Sequence, residues 1–142
     1  MNVHSILCKV VYNQSKCYLH SKELSSKRRK FLSNYIVKNA EKILNEFIDV
    51  EIFVVKGKYK QHSGPILRAF NSKIAKYKVD NVVIASDFEK LIRNFRSKLR
   101  ASKYIIIDDR LIPVQIADVL AYSYRRTRSE RIRRYAKIVL LK

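Results

Sequence analysis

Apolar side chains recur with two different periods along this chain of 142 residues. Between residues 22 and 47 they return every three or four positions, which is the period of an amphipathic helix, and Ser21 stands where its N-cap is expected. Short β-branched runs at 50–55, 81–86 and 104–107 are typical of buried strands. The pattern therefore predicts that strands and helices alternate along most of the chain.

Helical periods also occupy the segments between and after these strands. One helix is predicted to open at Ser63 and to reach Tyr77, a second covers 88–100, and a third covers 113–126. The last segment, 130–142, is predicted to be helical, with a partly extended alternative. This order predicts an α/β protein in which helices pack on a mixed sheet.

The N-terminus is predicted to form a β-hairpin. Residues 3–12 are rich in Val and Ile, a polar turn follows, and residues 16–20 would supply the second strand. In such a hairpin Cys8 and Cys17 would not lie opposite each other, so free thiols are expected.

Composition indicates a folded and strongly basic protein. With 47 % hydrophobic residues the chain can build one core, so we expect a single domain over residues 1–142. Its 31 Lys and Arg face only 12 Asp and Glu, a net charge of +19. A surface of this charge favours a polyanionic partner, above all nucleic acid, because binding releases counterions from phosphates. No apolar run long enough to cross a bilayer and no secretory signal is apparent, so a cytoplasmic protein without membrane contact is expected.

The densest positive charge lies in an Arg-rich C-terminal segment, about 122–142. Arginine binds phosphate in a bidentate manner, and tyrosine can stack on unpaired bases. Backbone contacts carry no direct sequence information, so DNA and RNA both stay open. The candidate nucleic-acid contacts are Tyr122, Tyr124, Arg125, Arg126, Arg128, Arg131, Arg133 and Arg134, together with Arg93 and Arg96 on the predicted helix 88–100.

Several of the few carboxylates stand at predicted strand ends or on the following helix. Functional groups of α/β sheets gather at the carboxyl ends of strands, and convergent carboxylates could hold Mg²⁺ or Mn²⁺ against a scissile phosphate. The alternative is structural, since Asp after a strand is also a common helix cap or turn residue. The candidate metal ligands are Asp87, Asp108, Asp109 and Asp118, of which Asp87, Asp109 and Asp118 are the candidate catalytic residues.

The string VQIADVLAYSYRR, with two acids upstream and LHSKEL near residue 20, resembles an RNase H-like family catalogued as domain of unknown function 3800. That family has a Gln-x-Ala-Asp helix after an acid and a short loop. The resemblance implies an RNase H-like sheet and a two-metal phosphodiesterase centre, and it covers about residues 16–126. The matching positions are His20, Asp87, Asp108 or Asp109, Gln115 and Asp118.

This chain departs from the family at its beginning, where the family carries an acid on its opening strand. Here no Asp or Glu precedes Glu23. The resemblance therefore implies a degenerate nuclease, or one completed by a homodimer or by a partner chain that supplies the missing strand. The alternatives are a non-catalytic basic DNA- or RNA-binding protein, such as a ribosome- or chromatin-associated domain, and a protein-interaction module.

Overall fold

A computed structural model of the chain describes residues 2–57, 62–91, 99 and 104–141. The helices within these residues are α1 (Val3–Tyr12), α2 (Ser26–Lys38), α3 (Ala40–Leu44), α4 (Ser63–Tyr77), α5 (Ser86–Leu91), α6 (Ile112–Thr127) and α7 (Glu130–Tyr135). The strands are β1 (Glu51–Val55), β2 (Asn81–Ile84), β3 (Tyr104–Ile107) and β4 (Lys137–Leu141). The protein thus has the mixed α/β character that the sequence predicts.

The chain divides into two compact units. Unit 1 comprises residues 1–52 and 115–138, and unit 2 comprises residues 53–114 and 139–142. Unit 1 therefore contains the N-terminal helices together with most of α6 and α7. Unit 2 contains the β2–β3 region and the helices beside it.

The predicted N-terminal hairpin is wrong, because residues 3–12 form α1. Asn2 caps this helix by accepting the backbone N–H of Ser5 at 3.0 Å. Val3, Leu7 and Val11 recur at a spacing of four, which is helical, and all three are buried. The β-branched residues of this segment led to the wrong prediction of a strand. After α1 the chain turns back through Asn13, which adopts a left-handed conformation with φ 56°.

The predicted long helix over 22–47 is divided and begins later than expected. Its cap is Ser25, whose hydroxyl accepts the N–H of Arg28 at 3.2 Å, and α2 starts at the next residue. At its other end the Asn39 side chain donates to the Tyr35 carbonyl at 2.9 Å, and the chain turns there before α3. Asparagine favours this local bond because its amide competes with the helical backbone pattern.

Two parallel pairs of strands are present within the described residues. In unit 2, β2 and β3 are neighbours in parallel register, with Asn81 opposite Tyr104 and Ile84 opposite Ile107. The other pair is β1 and β4, in which Lys137 N–H donates to the carbonyl of Val50. The last segment thus combines a helix, α7, with a strand, as its partly extended alternative allowed.

Each unit has its own buried side chains. The most deeply buried apolar residues of unit 1 are Leu7, Leu19, Leu32, Ile36, Val119 and Ile132. The core of unit 2 contains Leu67, Ile74, Val82, Ile84 and Leu99. No helix of the described residues is long and apolar enough to cross a membrane. The predicted contacts Arg93 and Arg96 lie outside the described residues.

Candidate functional site

Gln115 and Asp118, the two polar residues of the Gln-x-Ala-Asp motif, hold the same short segment of chain. The Gln115 Oε1 accepts the buried N–H of Leu19 at 2.8 Å. Asp118 accepts the N–H of Ser21 at 2.7 Å and its hydroxyl at 3.3 Å. Residues three apart share one face of a helix, and alternate residues of an extended segment direct their N–H groups to the same side. The motif therefore grips residues 19–21 against α6, and we call this arrangement the α6 clamp.

The α6 clamp continues into α1 through His4. The His4 Nε2 lies 2.7 Å from the Gln115 Oε1, and because that oxygen only accepts, Nε2 carries the proton. Cys8, one turn further along α1, is joined to Cys17 by a disulfide, with the two Cα atoms 5.5 Å apart. The prediction of free thiols is therefore wrong. The chain turns back after α1 and brings the two cysteines together, whereas the predicted hairpin would have kept them apart.

His20, which matches the early histidine of the family, belongs to the turn beside the clamp. Its Nδ1 accepts the N–H of Lys22 at 3.3 Å, so it caps the short 3-10 helix Ser21–Glu23. Its ring lies 5.8 Å from that of Tyr18. These contacts give His20 a local structural role.

The acids of unit 2 also make defined hydrogen bonds to the chain. Asp109, just beyond β3, accepts the N–H of Ser86 at 2.8 Å and its hydroxyl at 2.6 Å, and so caps the start of α5. Asp108 accepts the N–H of Arg110 at 2.9 Å, as in an Asx turn. Asp87 is exposed in the first turn of α5. The parallel β2–β3 pair thus brings the neighbourhoods of Asp87 and Asp109 to one end of the pair.

Asp109 and Asp118 therefore have equivalent local partners, since each carboxylate takes both the N–H and the hydroxyl of one serine. These four bonds support the alternative in which the acids have a structural role, because both oxygens of each carboxylate accept hydrogen bonds from the chain itself. Among residues 2–57, 62–91, 99 and 104–141, no three His, Cys, Asp or Glu side chains are grouped to hold a metal ion.

Replacing Asp118 by Asn separates positioning of the chain from metal binding. Asparagine can still accept the Ser21 N–H, so we expect the free energy of unfolding to fall by only about 1 kcal/mol. Mn²⁺ should leave the unfolding temperatures of both proteins unchanged, as measured by thermal denaturation. The exposed carboxylate of Asp80 supplies a control as Asp80→Asn. A Mn²⁺-dependent rise in the wild type that Asp118→Asn abolishes would contradict the positioning role.

Positive charge and aromatic rings also meet within unit 1, in an arrangement that we call the arginine–tyrosine surface. The Arg28 guanidinium lies 4.6 Å from the centre of the Tyr12 ring. Arg29 of α2 and Arg125 of α6 lie 5.9 and 5.8 Å from the centre of the Tyr122 ring. Cation–π contacts of this kind hold guanidinium groups in place without neutralising their charge. The surface therefore presents ordered cations from two helices, α2 and α6.

Arg29 differs from the other members of this surface in its hydrogen bonding. Its Nε is buried and has no hydrogen-bond partner among the described residues. A buried donor that lacks an acceptor loses its hydration without compensation. The side chain as a whole is only partly buried, so an anionic oxygen can approach its exposed part.

Other predicted contacts have structural partners. Tyr124 is 1 % exposed, so it is corrected from a base-stacking residue to a buried support for the arginines. Arg133 donates from Nε to its hydroxyl at 2.7 Å, which raises the pKa of the Arg133 guanidinium, and Arg128 lies 5.5 Å from the Tyr124 ring. Arg131 donates to the carbonyl of Lys38 at the end of α2. These three arginines keep their charge and stay exposed.

Arg126 and Arg134 are exposed as well, so every predicted arginine between residues 125 and 134 reaches the surface of unit 1. The sequence interpretation did not place His4 or Ser21 in a site, whereas Arg29 belongs to a basic stripe, Lys27 to Lys30, that the predicted long helix already indicated. The signal that could have placed His4 was its spacing of four from Cys8. Together with Val3, Leu7 and Val11, these two residues complete one face of a helix.

Unit 1 as a whole is basic, with 16 Lys and Arg against seven Asp and Glu. The predicted acids are distributed between the units: Asp118 belongs to unit 1, and Asp87, Asp108 and Asp109 belong to unit 2. Comparisons with protein-family models, with curated proteins and with solved structures found no match. Function is therefore inferred from the residues of this chain.

Proposed function

We propose that this protein binds nucleic acid through the arginine–tyrosine surface of unit 1. The observation that carries the proposal is the placement of the Arg29 and Arg125 guanidinium groups on one tyrosine ring, with Arg28 on a second ring. Phosphate oxygens are strong acceptors for such donors. The net charge of +19 supports the same class of partner.

The geometry favours phosphate over an isolated carboxylate. Arg28, Arg29 and Arg125 come from the start of α2 and the last turns of α6, so their charges are spread over a surface. A nucleic-acid backbone repeats its phosphates and can meet several of them at once, which a single carboxylate cannot. DNA and RNA both meet this requirement.

An RNase H-like scaffold is the finer part of the proposal. It is supported by the parallel β2–β3 pair, by Asp109 just beyond β3 and by the Gln-x-Ala-Asp motif in the next helix. Since residues 3–12 are helical, they do not provide the opening strand, and a second copy or a partner chain is the proposed source. Metal-dependent cleavage with Mg²⁺ or Mn²⁺ is a separate hypothesis, for which the carboxylate–serine bonds give no support.

The experiment is fluorescence anisotropy with labelled single- and double-stranded DNA and RNA over a series of salt concentrations. The wild type is expected to bind with a steep salt dependence. Replacing Arg29 and Arg125 together by Gln should weaken binding about tenfold and reduce the salt slope by about 1.5, the loss of two phosphate contacts.

The matched control replaces two exposed lysines of unit 1 that lie outside this surface, Lys16 and Lys42, by Gln. It removes the same charge and should weaken binding less. Equal losses in the two double variants would contradict the assignment of the surface. A wild type that binds none of the four nucleic acids would overturn the function itself. Adding Mn²⁺ to the same samples tests cleavage, which would appear as shortened labelled strands.

A further inference from the structure

A groove of about 460 Å³ lies in unit 1, apart from the residues of the arginine–tyrosine surface. The end of α3 and the loop that follows it form one wall, residues 44–50. The end of α7 and the start of β4 form the other wall, residues 134–137. Sites that bind small molecules have volumes of roughly 300–1,000 Å³, so this groove is large enough for one nucleotide.

The groove combines an aromatic ring with exposed aliphatic surface. Tyr135 is half-buried on one wall, and Phe47 and Ile48 lie on the other. Ile48 is 88 % exposed. A single exposed isoleucine is unremarkable, but here it lies in the same concave site as two aromatic residues. Flat apolar groups on opposing walls are suited to the two faces of a nucleobase.

Cations lie on the same wall as the tyrosine. Arg134 and Lys137 are both exposed and flank Tyr135 in the chain. The Lys137 Nζ is 3.8 Å from Glu51 Oε1, and the lysine side chain is 71 % exposed, so this ion pair is weak and the ammonium can also meet a phosphate. These two positive charges therefore lie where the backbone of a nucleic-acid strand would pass if one of its bases entered the groove.

The opposite wall carries groups that suit the edge of a base better than a phosphate. Asn45 offers an amide, and Asp49 offers a carboxylate. A carboxylate repels phosphate but accepts hydrogen bonds from the amino groups of bases, as acidic side chains do from cytosine. The phosphates would therefore meet the cations beside Tyr135, and polar groups suited to a base lie within the same groove.

We propose that this groove holds one unpaired base of a single-stranded nucleic acid, with the base against Tyr135 and the adjoining phosphates on Arg134 and Lys137. The inference rests on the proposed function and deepens it by naming the form of nucleic acid that is bound. A base within a duplex has both faces stacked and cannot enter a groove unless it is turned out. The groove therefore makes the protein prefer single strands.

The first test compares anisotropy titrations of one labelled oligonucleotide as a single strand and as a duplex. Tyr135→Leu keeps an apolar side chain but removes the ring, and stacking of one base on an aromatic side chain is commonly worth about 5- to 100-fold in affinity. We expect a loss in that range for the single strand and little change for the duplex. Tyr35→Leu, a half-buried tyrosine of α2 outside the groove, is the matched control.

A second test uses the wild type and so does not depend on a variant that folds. A single strand that contains 4-thiouracil is photo-crosslinked to the protein, and the modified peptides are identified by mass spectrometry. Cross-links within residues 44–50 or 134–137 are expected. Cross-links confined to other residues would overturn the inference.

The outcomes separate this inference from the proposed function. If the wild type binds nucleic acid but Tyr135→Leu affects single strand and duplex equally, or neither, the groove is not a base site and the proposed function stands. If an acidic peptide cross-links to the residues of the groove and a single strand does not, the groove binds a protein and the inference fails. If no nucleic acid binds at all, both proposals fail.

Discussion

Replacing Gln115 by Leu is expected to lower the free energy of unfolding by about 2–6 kcal/mol. The Gln115 side chain is 5 % exposed, and its oxygen serves two buried groups, the N–H of Leu19 and the ring of His4. Leucine fills a similar volume but accepts no hydrogen bond. Both donors would then be buried without a partner, at a cost of about 1–3 kcal/mol each.

Urea denaturation followed by circular dichroism measures this loss directly. Gln14→Leu is the control, because Gln14 is exposed in the loop after α1 and its replacement should change stability by less than about 0.5 kcal/mol. A loss below about 1 kcal/mol in Gln115→Leu would show that the α6 clamp does not depend on this oxygen. The resemblance would then be the better account of why Gln occupies this position.

The α6 clamp changes how the Gln-x-Ala-Asp string is interpreted. The proposed RNase H-like scaffold would put the string beside a metal centre, whereas here both polar residues bind backbone groups of residues 19–21. An acid on the face of an apolar helix is costly unless it is paired, and Ser21 supplies that pairing. A carboxylate oxygen has two lone pairs, so a metal can bind Asp118 either beside the serine bonds or in place of them. The Mn²⁺ measurement on Asp118→Asn tests whether it does.

The alternation of strands and helices from β1 to β4 could be predicted because each element carries one clear period. The N-terminal helix was missed because its Val and Ile residues favoured a strand, although its buried positions have helical spacing. That spacing is clear only when His4 and Cys8 are counted as part of the buried face. The division of the predicted helix 22–47 has a local cause, the bond from the Asn39 side chain to the Tyr35 carbonyl.

The partners of the candidate acids could not be predicted for a different reason. Asp118 and Ser21 are 97 residues apart, and Asp109 and Ser86 are 23 residues apart. Sequence patterns identify an acid at the end of a strand but do not tell which serine will lie against it. The stacked pairs Tyr12–Arg28 and Tyr122–Arg29 are long-range in the same way. The positive charge itself needed no such information, because the predicted arginines that the structure describes are exposed.

Removing the disulfide by replacing both Cys8 and Cys17 with Ser is expected to lower the free energy of unfolding by about 2.5 kcal/mol. The bond joins residues nine positions apart, and opening a loop of this length returns entropy to the unfolded chain. A reductant should produce the same loss in the wild type and none in the double variant. The thiol content of the denatured protein is a separate check: no reactive thiol is expected before reduction, and two are expected after it.

The disulfide and Gln115 restrain the same piece of chain, since Cys17 leads directly into the residues that the α6 clamp holds. Their contributions are therefore expected to be coupled, with a triple variant that differs from the sum of the separate losses by about 0.5–3 kcal/mol. Strictly additive losses would show that the segment 17–21 is held independently at its two ends. The coupling also bears on the expected cytoplasmic location, where such bonds are usually reduced. In a reducing compartment the hydrogen bonds of Gln115 and Asp118 and the buried side chain of Leu19 would hold this segment. Measurements of nucleic-acid binding in oxidised and in reduced protein should therefore agree only if these contacts keep α1 and Tyr12 beside Arg28.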